Sequence, residues 1–186
     1  MKSLKNQVRV AAKAFALLLL LTFAGCEEFL NDNPKAIFLS HYVNYAWGYQ
    51  NSGYIIDTEG NLREFSLPDT WNYHDSDGYI SETAMQENLD QLDETSCIVA
   101  KYDMAYFAGR LEKAMKGKIT APEHRMCDAG GTTTAGYIYE PGTNRYKYVF
   151  IRQTGDWYSE NTSREAADIY EWLQHPCDGN MGIKIK

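Results

Sequence analysis

The densest collection of groups able to do chemistry lies in residues 69–78, Asp-Thr-Trp-Asn-Tyr-His-Asp-Ser-Asp-Gly. Here Trp71, His74 and the carboxylates of Asp69, Asp75 and Asp77 come within reach of one ligand, and the acids and imidazole suit calcium or zinc. Set against a calcium-loop pattern, Asp75, Asp77 and Gly78 fall at the third, fifth and sixth places, but Tyr73 and Ala84 stand where the first and twelfth ligands belong. A solvated loop leading into the next helix accounts for the stretch better than a metal site, and no metal or cofactor is expected.

A second group is His124, Cys127 and Asp128, the residue types of a thiol nucleophile with a base and an orienting acid. Such groups usually meet across a fold rather than along a few residues of chain, so a disulfide or a buried thiol is the favoured expectation for Cys127. Residues 128–134, Asp-Ala-Gly-Gly-Thr-Thr-Thr, are small and donor-rich and could cradle an anion through backbone N–H groups. They lack the Lys and following helix of a phosphate loop, and a loop entering a strand is the simpler reading. In residues 155–161, Trp157 and Tyr158 stand beside Asp156 and Glu160; rings of this kind stack on sugars while acids bind the hydroxyls. They equally cover the end of a core, as do Trp47, Trp71 and Trp172. A glycoside hydrolase would draw paired carboxylates from Asp75, Asp77, Asp156 or Glu160, held about 5 to 10 Å apart.

The elements that must position these groups are legible in outline. Residues 42–50 are dense in aromatic and β-branched types and predict a strand. Residues 54–57 and 62–66, joined by Thr-Glu-Gly-Asn, predict a hairpin, and residues 132–139 and 146–152 predict another. Ser81 caps a helix that buries Met85, Leu89 and Leu92. Asp103 is placed to cap a second, with Met104, Phe107, Ala108, Leu111 and Met115 on one face and Gly117 as its stop. Thr162 and Glu165 have capping-box spacing for a third, which presents Ala166, Ile169, Tyr170 and Leu173 and ends at Pro176. The expected fold is α+β: an antiparallel sheet built from hairpins with about three helices packed on one face.

The start of the chain carries an address. Lys2, Lys5, Arg9 and Lys13 precede an apolar run over 14–24 that is too short to span a bilayer. It ends in Phe23-Ala24-Gly25-Cys26, which resembles the lipobox of bacterial lipoproteins, with Phe23 where Leu is usual. The resemblance implies a signal peptide over residues 1–25 and a lipid on Cys26. Several acyl chains on one Cys, at about 0.8 kcal/mol per buried CH2, make an anchor that does not let go. The following nine residues, Cys-Glu-Glu-Phe-Leu-Asn-Asp-Asn-Pro, resemble the mature start of outer-membrane lipoproteins that bind glycans beside starch-utilisation transporters. Those proteins are several times longer, so the likeness implies a destination, the periplasmic side or outer surface of the outer membrane, and neither a fold nor a ligand.

Composition narrows what remains. Removing the leader's four basic residues from 18 leaves 14 against 25 acidic, a net charge near −11, which disfavours a nucleic-acid partner. Residues 26–36 read as a lipidated tether and 37–186 as a single globular domain. With Cys26 spent on lipid, Cys97, Cys127 and Cys177 remain; one disulfide and one free thiol is the simplest arrangement, three reduced buried thiols the alternative, and no pair is singled out. The 14 Tyr and 4 Trp hint at ring faces left in solvent. The function these features favour is a non-enzymatic, lipid-anchored envelope protein that binds a glycan or a partner protein. An envelope hydrolase and an acidic inhibitor of a basic enzyme are the alternatives.

Overall fold

The computed structural model describes residues 35–178; the expected signal peptide, Cys26 and nearly all of the expected tether lie outside the described residues. The protein is α+β, and the described residues form an antiparallel sheet of nine strands and three helices. In chain order the elements are β1 (Ala36–Asn44), β2 (Gln50–Ile56), β3 (Asn61–Ser66), β4 (Tyr79–Ser81), α1 (Glu82–Leu89), β5 (Thr95–Ile98), α2 (Lys101–Ala114), β6 (Glu123–His124), β7 (Gly131–Glu140), β8 (Arg145–Gly155), β9 (Trp157–Glu160) and α3 (Arg164–Gln174). The strand order is β5-β3-β2-β1-β7-β8-β9-β6, with β4 paired to the first half of β8.

The central strand β1 is buried on both faces, because alternate residues enter two separate cores. Ala36 and Phe38 join Ile56, Leu62, Ile138 and Ile151 beneath α2 and α3, where Phe107 stacks on Trp172 with ring centroids 4.1 Å apart. Ile37 and Leu39 join Ile55, Phe65, Tyr137 and Tyr146 on the opposite face, where α1 contributes Met85. The three helices therefore divide, two over one face and the short α1 over the other. Tyr54 Oη donates to the Leu173 carbonyl, and a disulfide joins Cys97 in β5 to Cys177 just past α3. The last helix is thus fastened to the edge of the sheet.

Both predicted hairpins are present, as β2–β3 and β7–β8. Several boundaries differ from expectation, each for a local reason. The strand expected over 42–50 is two strands: β1 stops at Asn44 and β2 starts at Gln50, with Gly48 at φ 98° turning the chain between them. At the other end β1 begins at Ala36, which is buried in the sheet rather than part of a tether. Ser81 Oγ accepts from Ala84 N as predicted. Asp103, however, lies within the first turn of α2, whose N-cap position is Ala100 with no side-chain bond; the carboxylate still sits favourably at the positive end of the helix dipole. The cap of α3 is Ser163, accepting from Ala166 N, because Thr162 Oγ1 is spent on the Lys118 carbonyl. The connection expected over 155–161 contains β9, paired with β6 and β8.

Candidate functional site

Helix α1 and the chain before it cover the end of their sheet face nearest Ile37 and Tyr137; toward the far end of β1 the same face opens as a cleft of about 600 Å³. Its floor follows from strand register. His41 of β1 lies opposite Thr133 of β7, which lies opposite Gln153 of β8. Neighbouring strands are about 4.8 Å apart, so the three polar side chains form a row across the sheet. Val43 and Gly131 make the next row. Walls are supplied by Tyr73 from the loop before β4, by Asn44, Tyr45 and Ala46 at the β1–β2 turn, and by Gly130, Asp156 and Trp157.

The floor and walls are fixed by hydrogen bonds from outside the cleft. His41 is only 6 % exposed, and its Nε2 is 2.6 Å from Asn51 Oδ1; Asn51 Nδ2 in turn donates to Tyr49 Oη at 2.9 Å. An amide oxygen can only accept, so Nε2 carries the hydrogen. Burial pushes the His41 pKa down, opposed by that bond, and the imidazole is neutral at pH 7. Asn44 ties two segments together, donating to the Asp128 carbonyl and accepting from Ala46 N. Asp156 Oδ1 accepts from Ala129 N at 2.8 Å, and Asp156 N donates to the Gly130 carbonyl at 2.7 Å. Gly130 has φ 71°, and a Cβ there would strike the Val43 carbonyl, so only glycine lets the loop lie this close to β1.

The rim is aromatic and open to solvent. Tyr45 is 74 % exposed, Tyr73 56 % and Trp157 47 %. Tyr45 rests on Tyr49 with centroids 5.3 Å apart, and Trp157 meets the His124 ring edge-on at 5.0 Å. Large rings in solvent at the mouth of a polar-floored cleft are the arrangement that binding sites show and cores do not.

The structure separates the residues singled out from sequence. Trp157 stands in the cleft wall with Asp156 beside it. Tyr158, one residue on, points to the other side of β9, where its Oη donates to Glu160 and the Arg125 guanidinium lies 3.8 Å over its ring. Trp71 is half-buried behind the cleft, stacked on Phe65 at 4.3 Å and against His41 at 5.4 Å, so it supports the floor instead of lining it. Trp172 is a core residue. His74 stacks on Tyr148 at 3.9 Å, and burial lowers its pKa. Asp75 closes the turn into β4, accepting from Asp77 N and Tyr79 N and pairing with Arg145; the Tyr79 bond foremost holds its pKa down. Asp77 offers its carbonyl to Lys147 Nζ at 2.6 Å. These acids serve a turn, and among the described residues no three His, Cys, Asp or Glu side chains converge on a point that could hold a metal.

Cys127 is neither disulfide-bonded nor buried, contrary to expectation: it is a free, exposed thiol 3.8 Å from His124 Nε2. Asp128, at φ 62°, turns the chain there and bonds to Asn44 through its carbonyl. The small residues of 128–134 do present a backbone donor to an anion, but the anion is the Asp156 carboxylate. The residues that sequence reasoning missed are His41, Thr133 and Gln153 on the floor and Tyr45 and Tyr73 on the rim. The surplus of aromatic residues was the one available signal for the rim. Comparison of the chain with protein families, curated proteins and solved structures finds no match.

Proposed function

We propose that the protein is a lipid-anchored binding protein of the bacterial cell envelope and that it holds a glycan in this cleft. The observation that carries the reading is the pairing of an exposed aromatic rim with a row of neutral polar side chains. A sugar ring has an apolar C–H face and an equatorial fringe of hydroxyls; Trp157, Tyr45 and Tyr73 suit the first, and His41, Thr133, Gln153 and Asp156 suit the second. The anchor rests on the leader and on Cys26. No helix among the described residues is long and apolar enough to cross a membrane.

A hydrolase working by two carboxylates would need a second acid across the cleft from Asp156. Asp156 is the single carboxylate among the described lining residues. The binding reading is tested by titrating the purified full chain with a panel of oligosaccharides and following tryptophan fluorescence or heat. Trp157→Ala should weaken binding about tenfold, corresponding to about 1.4 kcal/mol of lost stacking, while Tyr102→Ala on the surface of α2 should leave it unchanged. A Trp157→Ala variant that binds as tightly as the parent would remove the cleft from consideration.

A further inference from the structure

We infer that the cleft selects a basic sugar, one carrying a free amino group, and turns away acidic glycans; the inference rests on the glycan reading above. Among the residues that line the cleft, Asp156 alone bears a formal charge. One of its oxygens is held by Ala129 N, which fixes the carboxylate's direction and leaves the second oxygen for a ligand. Among the described residues no Lys or Arg lines the cleft, and cations of the neighbouring strands are engaged elsewhere. Arg125 lies over Tyr158 and pairs with Glu123, Arg152 pairs with Glu160 while covering Tyr170, and Lys147 reaches Tyr79 and the Asp77 carbonyl. His41, held neutral by burial, supplies no counter-charge either.

The rim adds to this bias. Trp157, Tyr45 and Tyr73 present electron-rich faces at the mouth, and such faces attract an ammonium group while offering nothing to a carboxylate or sulfate. An amino sugar can satisfy the whole lining at once, with its ring face on Trp157, its ammonium at Asp156 and its hydroxyls along His41, Thr133 and Gln153. An acidic sugar would bring a second negative charge beside Asp156 with no donor of opposite sign to receive it.

The test uses the full chain and three oligosaccharides of matched length: a chitosan oligomer with free amines, the chitin oligomer with the same backbone acetylated, and an oligogalacturonate. In mildly acidic, low-salt buffer, where the sugar amines are protonated, the chitosan oligomer should bind about five- to tenfold tighter than the chitin oligomer, with the oligogalacturonate weakest. That ratio should fall to near one in alkaline buffer, where the sugar amine loses its proton, and in Asp156→Asn, whose amide oxygen can still accept from Ala129 N. Because the whole molecule is acidic, a third variant separates the cleft from general attraction to a polycation: Thr133→Trp, which fills the floor, should abolish binding of both oligomers with the melting temperature unchanged. Equal affinity for the free and acetylated oligomers, a ratio that survives Asp156→Asn, or chitosan binding that survives Thr133→Trp overturns the selection while leaving glycan binding itself standing. Failure of all three oligosaccharides to bind overturns both.

Discussion

At the scale of single residues, His41 has a role in stability as well as in the cleft floor. Burial lowers its pKa below the usual imidazole value of about 6.5, so the unfolded chain takes up a proton that the folded chain refuses. Stability is therefore full above about pH 6.5 and declines as pH falls from there toward the folded value; His74, whose pKa is lowered mainly by burial against Tyr148, contributes in the same direction. Melting temperature measured from neutral to mildly acidic pH should drop on acidification. His41→Gln, which keeps a donor for Asn51, should flatten part of that slope, and an unaltered slope would mean that the proton is taken up elsewhere. Trp157 and Asp156 could be singled out from sequence because they sit together in a stretch rich in turn residues. His41 could not, because a lone histidine in a strand acquires its meaning only from Thr133 and Asn51, which register and not spacing brings to it.

Between elements, the Cys97–Cys177 disulfide joins the edge strand β5 to the chain leaving α3 across a separation of 80 residues. Replacing both cysteines by serine should cost about 2–4 kcal/mol in urea unfolding, through the freedom returned to the unfolded chain. Cys127→Ser should cost nothing measurable, and a double variant as stable as the parent would show that α3 holds its place by packing alone. Hairpins and helices were the most legible part of this protein, since each is announced locally: Gly60 and Asn61 in one turn, the Ser81 cap, the apolar face of Phe107 and Leu111. What escaped were the strands too short to carry a period, β4, β5, β6 and β9, the first part of β1, and the turn at residues 45–49. There the aromatic types favour a strand, while Gly48 at φ 98° breaks it and leaves the rings in solvent. The same misreading hid one wall of the cleft, because those rings read as sheet filling.

For the molecule as a whole, the proposed anchor and the described domain should be separable. The full chain should fractionate with membranes, and Cys26→Ser should release it with an unchanged melting temperature, since the sheet begins only at Ala36. Membrane anchoring that persists in that variant would dismiss the lipid. The helices' division between two faces has its own effect: α2 and α3 close one side of the sheet, whereas α1 is too short to close the other, and the cleft is the portion it leaves open. The row of His41, Thr133 and Gln153 also dates the site within the life of the chain. His41 is made early, but its neighbours on the floor belong to the last third of the sequence, and the central β1–β7 pairing that joins them is a long-range contact of the kind that forms slowly. A chain emerging from its amino end therefore has nothing with which to capture a ligand until nearly all of it has been delivered. Once the sheet closes, a bound ligand would stabilise the finished state alone, so occupancy would slow proteolysis through transient opening only after folding is complete.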